Sequence, residues 1–75
     1  MDGLTEGRIV HFVGSKNWTK HRAALVCNVI DQEKGICDLF VFAMPEDQSG
    51  GFFMQPETPY DPNKAPGTWH WIEKA

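Results

Sequence analysis

Two serines and two cysteines are the candidate nucleophiles of this chain, and none of them stands in a pattern that activates such a group. Ser15 and Ser49 lie in glycine-containing segments without a nucleophile-elbow pattern. Neither Cys27 nor Cys37 adjoins a basic residue that would favour a thiolate. We therefore expect no catalytic residues, and a binding protein instead of an enzyme.

Histidine and cysteine are also the usual zinc ligands, and the chain has three histidines, His11, His21 and His70. The histidines and cysteines show none of the paired spacings, such as CxxC or HxxxH, that zinc sites favour. We expect neither a metal site nor a cofactor, although ligation across separate strands stays open. The expected role of His11 and His70 is structural, with ring nitrogens bonded to the backbone or to a carboxylate.

Basic side chains are concentrated in residues 16–22 (KNWTKHR), which together with Arg8 hold four of the seven Lys and Arg residues. These residues suit a small anionic ligand: the Trp18 indole would stack on the ring of the ligand, and Lys20 and Arg22 would bind its phosphate. The alternative is a solvated loop in which Trp18 folds back as a lid on a small core.

A second aromatic group, Trp69-His70-Trp71, alternates as a strand does, with both indoles on one face. Its structural use is to close the end of a barrel. Its functional use is an exposed indole beside His70 that, with Tyr60 and Phe53, forms an aromatic floor for a base or a proline. We predict that the basic segment faces this strand.

Five short strands are expected to position these residues. Glycine, proline and polar clusters bound apolar runs at 8–13, 23–30, 36–43, 51–54 and 68–72. Residues 55–67, with four prolines, are predicted to cross the surface irregularly. The order predicts an all-β domain over residues 1–75, a five-stranded SH3-like barrel with a long proline-rich surface loop before the last strand. An OB-like barrel is the alternative.

The two longest apolar runs flank residues 31–35 (DQEKG), which predicts a hairpin with a type I turn closed by a residue at positive φ. In that hairpin Ile30 faces Ile36 and Cys27 lies opposite Leu39, so the two thiols are offset along the ladder. We expect both cysteines to be small buried hydrophobes. Because both runs are nearly continuous in apolar character, we expect both faces to be covered, by a bent sheet or by a partner.

Length and charge exclude several classes of function. A chain of 75 residues has room for one small core, to which three Trp and five Phe add apolar area. Pairing with a second copy would bury more apolar area, so a homo-oligomer is expected. A net charge of −3 disfavours binding to duplex nucleic acid and to anionic membranes. No apolar stretch is long enough to span a bilayer, and the first residues lack a secretory pattern, which predicts a cytosolic protein.

Short motifs follow one another along the chain at residues 7–13 (GRIVHFV), 22–26 (RAALV), 51–53 (GFF), 59–61 (PYD) and 67–71 (GTWHW). In this order they resemble the GRIVHYV start, CRAA(I/V)V strand, FF, PYD and GTWHWPE end shared by a group of small uncharacterised bacteriophage and prophage proteins. Ile72 stands where the group often has proline, and the thiol lies at Cys27 instead of before Arg22. The resemblance implies a viral origin, the host bacterial cytoplasm and an accessory role.

The leading hypothesis is a non-enzymatic viral protein that binds and sequesters a small anionic nucleotide-like ligand, as an anti-defence sponge for a host signal. The expected contact residues are Arg8, His11, Trp18, Lys20, Arg22, Trp69 and His70. The alternative is an SH3-like interaction module that binds a host or virion protein or peptide. An RNA-contacting barrel is a third possibility, which the net charge disfavours.

Overall fold

A computed structural model describes residues 1–14, 21–44 and 51–72. Within these ranges there is no helix, and hence none long and apolar enough to cross a membrane. The five strands are β1 (Ile9–Val13), β2 (Arg22–Asp31), β3 (Ile36–Phe42), β4 (Phe52–Thr58) and β5 (Thr68–His70). They form one antiparallel sheet in the order β4-β3-β2-β1-β5, curled into a half-barrel. The predicted all-β, five-stranded architecture is confirmed at this level.

One face of the curled sheet holds the core. In β3, Leu39 and Val41 are completely buried, whereas Phe40 on the opposite face is half-buried and Phe42 is exposed. Within a single chain, therefore, the predicted burial of both faces is not met. The buried core side chains of the described residues are Leu4, Val10, Phe12, Ala24, Val26, Cys37, Leu39, Val41 and Trp69.

The hairpin between β2 and β3 turns where the sequence predicts it. The backbone N–H of Gly35 donates to the carbonyl of Asp31 at 2.9 Å, and Gly35 has a φ of +73°. The Asp31 carboxylate also accepts hydrogen bonds from the N–H groups of Glu33 and Lys34, at 3.1 and 3.0 Å. A positive-φ glycine and an aspartate that binds the turn backbone explain why the local sequence was sufficient here.

The register of this hairpin differs from the prediction. Leu39 pairs with Val26, one residue before Cys27, and Ile36 pairs with the residue after Ile30. The predicted pairs Cys27 with Leu39 and Ile30 with Ile36 are therefore wrong. Two irregularities in the ladder leave Cys27 and Ile30 as extra residues of β2 without a partner on β3, as β-bulges do. The prediction paired residues by counting outward from the turn, which gives the correct partners only where the ladder has no bulge.

β4 is longer than predicted and continues through Pro56 to Thr58. β4 is an edge strand, and on its open side the described residues provide no neighbouring strand to accept a hydrogen bond. A proline, which has no N–H, therefore removes no ladder bond on that side. Glu57 takes a φ of +47°, and its N–H donates to the Asp38 carboxylate at 2.9 Å. The predicted irregular segment therefore begins after Thr58 and not at residue 55.

The last strand joins the first one and starts to close the sheet. β5 pairs with β1 through Phe12 with Trp69 and the neighbouring residues on either side. On its other side, Trp69 forms an isolated parallel bridge with Tyr60. The N–H of Trp69 donates to the carbonyl of Pro59, and the N–H of Asp61 donates to the carbonyl of Trp69, both at 3.0 Å. The chain that follows β4 thus returns to the edge of β5 and curls the sheet around the core.

Candidate functional site

Three histidines from separate parts of the sequence lie together on one face of the sheet. His11 on β1 and His70 on β5 are directly paired across the antiparallel ladder, so their side chains leave the sheet on the same face. His21 immediately precedes β2, whose first residue, Arg22, pairs with Phe12. One further step along the same ladder brings His21 beside the other two. We call His11, His21 and His70 the histidine cluster.

The rings of the histidine cluster meet edge to face. Ring centroids are 4.7 Å apart for His21 and His70, 5.5 Å for His11 and His70, and 6.4 Å for His11 and His21. Nδ1 of His21 lies 3.1 Å from Nε2 of His70, a hydrogen-bond distance at which one ring donates and the other accepts. One nitrogen from each ring lies within 4.8 Å of the others. His70 is buried and the other two are half-buried.

The two strands that carry His11 and His70 have no acidic residue. β1 and β5 lack Asp and Glu, and the sequence has no acidic residue anywhere from 7 to 30. Nε2 of His70 lies at hydrogen-bond distance from another imidazole, a partner that the sequence did not predict. A group of imidazoles with this spacing can donate hydrogen bonds to an anion or coordinate a metal ion through nitrogen.

An aromatic group lies on the opposite face of β5. The rings of Trp69 and Trp71 are edge to face with centroids 4.9 Å apart, and Tyr60 lies 4.9 Å from Trp69 and 6.5 Å from Trp71. The guanidinium carbon of Arg8 is 5.3 Å from the centroid of Trp71, a cation–π distance. Arg8 is exposed and Trp71 is half-buried. We call Arg8, Tyr60 and Trp71 the Arg8–Trp71 corner.

Trp69, by contrast, is a core residue. Its side chain is 0 % exposed, and its indole N–H donates to the carbonyl of Gly35 at 2.7 Å. Our prediction of direct ligand contact at Trp69 therefore needs correction, because the residue has no surface to offer a ligand. Phe53 packs edge to face against Phe12, at 6.0 Å between ring centroids, and not beside Trp71. The accessible indole of the Trp69-His70-Trp71 segment is that of Trp71, which follows β5.

The other predicted contact residues are divided among several places. Arg22 is 4 % exposed. It pairs with the core residue Phe12, so its side chain leaves the sheet on the core face, opposite the histidine cluster. Trp18 and Lys20 lie outside the described residues. The structure thus brings His11 and His70 together on one face of the sheet. It places Arg8 beside Trp71 on the opposite face.

His21 is the site residue that the sequence did not select. It belongs to the predicted basic segment, and its ring lies beside that of His70. Residues 16–20 of that segment lie outside the described residues, so the predicted facing of the whole segment stays a prediction. The only sequence signal was membership of that segment. The other two histidines of the cluster lie on the first and last strands. The pairing of those strands is not encoded in the residues next to His21.

The two cysteines are free thiols in different environments. Cys27 is exposed, which corrects its predicted burial, and Cys37 is buried. Burial raises the pKa of Cys37 to about 11, with the charges of Asp38 and Cys27 adding to the effect. Cys37 is therefore a neutral thiol near neutral pH and a core residue, not a nucleophile.

Comparison of the chain with protein-family models, with curated proteins and with solved structures found no match in any of the three. The resemblance to small phage proteins therefore stays a prediction. Function has to be derived from the geometry of the histidine cluster and of the Arg8–Trp71 corner.

Proposed function

We propose that this protein is a non-enzymatic binding protein that captures a small anionic, nucleotide-like ligand at the Arg8–Trp71 corner. The observation that carries the proposal is the exposed Arg8 guanidinium 5.3 Å from the ring centroid of half-buried Trp71. A guanidinium binds phosphate oxygens with two parallel hydrogen bonds, and an indole face stacks on a base. A nucleotide carries both groups within one small molecule.

The second aromatic ring of the corner supports this ligand class. Tyr60 lies beside Trp71, at 6.5 Å between centroids and tilted by 50°, so two aromatic rings lie near one cation. Trp69, perpendicular to Trp71 at 4.9 Å, supports the indole from the core side. A ring held by the core loses little conformational entropy when a base stacks on it.

The distribution of charge also favours a small anion. Residues 7–30 contain four of the seven Lys and Arg residues and no Asp or Glu, in a chain whose net charge is −3. An acidic protein repels extended polyanions, but a mononucleotide or dinucleotide needs only a few local phosphate contacts. The histidine cluster lies on the other face, so we assign the nucleotide to the Arg8–Trp71 corner alone.

The biological setting of the proposal comes from the resemblance. We infer a phage origin, a place in the host bacterial cytoplasm and an anti-defence role, in which the captured ligand is a nucleotide signal of host immunity. We also infer an SH3-like arrangement of the half-barrel, supported by the tight β2–β3 hairpin and by the return of the chain to Tyr60. A homo-oligomer would add buried area to a small core.

Ligand binding can be tested with purified protein. The supernatant released by heating is examined for nucleotide absorbance, and Tm is followed with cyclic dinucleotides and ADP-ribose derivatives as probes. We expect at least one probe to raise Tm, and we expect Arg8→Gln to weaken its binding by about tenfold or more, as the loss of a charge-assisted hydrogen bond does.

Lys34→Gln is the matched control, because it removes the same charge from an exposed position in the β2–β3 turn. It should leave binding unchanged. A second variant, Trp71→Ala, should weaken binding while far-UV circular dichroism reports a folded protein. If no probe shifts Tm, or if Arg8→Gln and Lys34→Gln bind equally well, the nucleotide proposal fails.

A protein-interaction module is the second candidate, favoured by an apolar patch on β3 and β4. Phe42, Phe52 and Met54 are 43 %, 53 % and 54 % exposed, and the rings of Phe40 and Phe52 stack at 4.7 Å. β4 is an edge strand to which an extended peptide could add. Binding of proline-rich or extended peptides that Phe52→Ser abolishes and Arg8→Gln leaves intact would favour this candidate over the first.

A further inference from the structure

We propose that His11, His21 and His70 bind one divalent transition-metal ion through three imidazole nitrogens, with Zn²⁺ as the ion that fits best. The observation is the convergence of one nitrogen from each ring to within 4.8 Å of the others. This inference does not depend on the nucleotide proposal, because the cluster lies on the opposite face from the Arg8–Trp71 corner.

The distances are close to those of a tetrahedral site. With Zn–N bonds of about 2.0–2.1 Å, two ligand nitrogens on one tetrahedral ion are roughly 3.3 Å apart. Nδ1 of His21 and Nε2 of His70 are already 3.1 Å apart. The nitrogen of His11 lies up to 4.8 Å from the others and has to approach by up to about 1.5 Å, which rotations about its side-chain bonds supply.

The strands hold two of the ligands in place before any ion binds. His11 and His70 are direct cross-strand partners on β1 and β5, and His70 is 3 % exposed. Side chains at paired positions of an antiparallel ladder start about 4.5–5.5 Å apart at Cβ. Backbone pairing therefore positions two of the three ligands, and the third, His21, lies immediately before β2.

The contact between His21 and His70 defines what changes on binding. One of the two facing nitrogens carries a proton in the hydrogen-bonded pair. An ion between them needs a lone pair on both, so the donating ring moves its proton to its other nitrogen by exchange with solvent. Both rings stay neutral, and no oxidant or further reactant is required.

The donor set selects the class of ion. All three donors are imidazole nitrogens, and no carboxylate lies on β1 or β5 or between residues 7 and 30. Nitrogen donors suit Zn²⁺, Cu²⁺ and Ni²⁺, whereas Ca²⁺ and Mg²⁺ prefer oxygen. Three protein ligands leave the fourth position of a tetrahedral ion for water or an external anion.

The test is a calorimetric titration of chelator-treated protein with Zn²⁺, with Mg²⁺ in a parallel run. We expect one Zn²⁺ per chain, a higher Tm with Zn²⁺ and no binding of Mg²⁺. His21→Ala should weaken Zn²⁺ binding by at least about tenfold, because it removes one of three ligands. Because this residue is half-buried and precedes β2, we expect the variant to fold.

Two controls make the outcome specific. Cys27→Ser removes an exposed thiol, which could bind Zn²⁺ elsewhere on the surface, and should leave Zn²⁺ binding unchanged. In unmodified protein, ring-nitrogen NMR resonances of all three histidines should shift on Zn²⁺ addition. The inference is wrong if Zn²⁺ does not bind, if His21→Ala binds as tightly as the parent, or if only one or two histidine rings respond. Arg8→Gln should not affect Zn²⁺ binding, so this failure is distinguishable from that of the nucleotide proposal.

Discussion

Replacing Trp69 by phenylalanine tests how the core holds the turn, because one side chain connects β5 to the β2–β3 hairpin. Trp69 is 0 % exposed, and its indole N–H donates to the Gly35 carbonyl at 2.7 Å. Trp69→Phe keeps a large aromatic ring in the core but removes this donor. The carbonyl of Gly35 is then left without the bond in a buried position.

Two effects set the magnitude. A buried acceptor that loses its donor costs about 1–3 kcal/mol. The smaller ring also leaves about 40 Å³ unfilled, which at about 24 cal/mol per Å³ adds about 1 kcal/mol. We therefore expect Trp69→Phe to lower the free energy of unfolding by about 2–4 kcal/mol, a large part of the roughly 4–11 kcal/mol typical of a chain of this size.

Urea unfolding followed by far-UV circular dichroism measures the change without relying on tryptophan fluorescence. With a slope of about 1 kcal/mol per M, the midpoint should fall by about 2–4 M. Trp71→Phe is the matched control: the residue is only half-buried, and the loss should be below about 1.5 kcal/mol. If the two variants are destabilised equally, the indole–carbonyl bond does not stabilise the fold as we infer.

Two further predictions concern the same hairpin. Gly35→Ala should destabilise more than Gly67→Ala: both glycines have positive φ, +73° and +82°, but only at Gly35 would a Cβ lie 2.8 Å from Met1 Sδ and Tyr60 Cβ. Equal urea midpoints for the two variants would contradict this. For Cys37, the folded-state pKa of about 11 exceeds the ordinary 9.0, so the unfolded chain loses its proton first and stability should fall between these pH values, by roughly 2–3 kcal/mol. Unfolding measured against pH should lose this slope in Cys37→Ala, and an unchanged slope would refute it.

The strands and the hairpin turn were predictable because their signals are local. Runs of β-branched and aromatic residues mark β1, β2 and β3, and Asp31 and Gly35 specify the turn by their own backbone preferences. These signals depend on residues a few positions apart, so a single sequence contains them.

Register and strand length were not predictable in the same way. The bulges at Cys27 and Ile30 shift the partners of β3, and β4 continues through Pro56 because an edge position tolerates it. Whether a residue is bulged, or a proline lies at an open edge, depends on the neighbouring strand. The local pattern around each residue is the same in either case.

For the candidate sites, the sequence determined which side chains are present. They are the basic side chains of a stretch without carboxylates, three imidazoles, and two indoles on either side of His70 in the sequence. Only the tertiary structure decided which of them meet. Pairing of the first strand with the last brings His11 to His70, the start of β2 adds His21, and the hydrogen bond to Gly35 commits Trp69 to the core while Trp71 stays accessible to Arg8. These contacts join residues far apart in the chain, and their formation depends on how the whole sheet closes around one core.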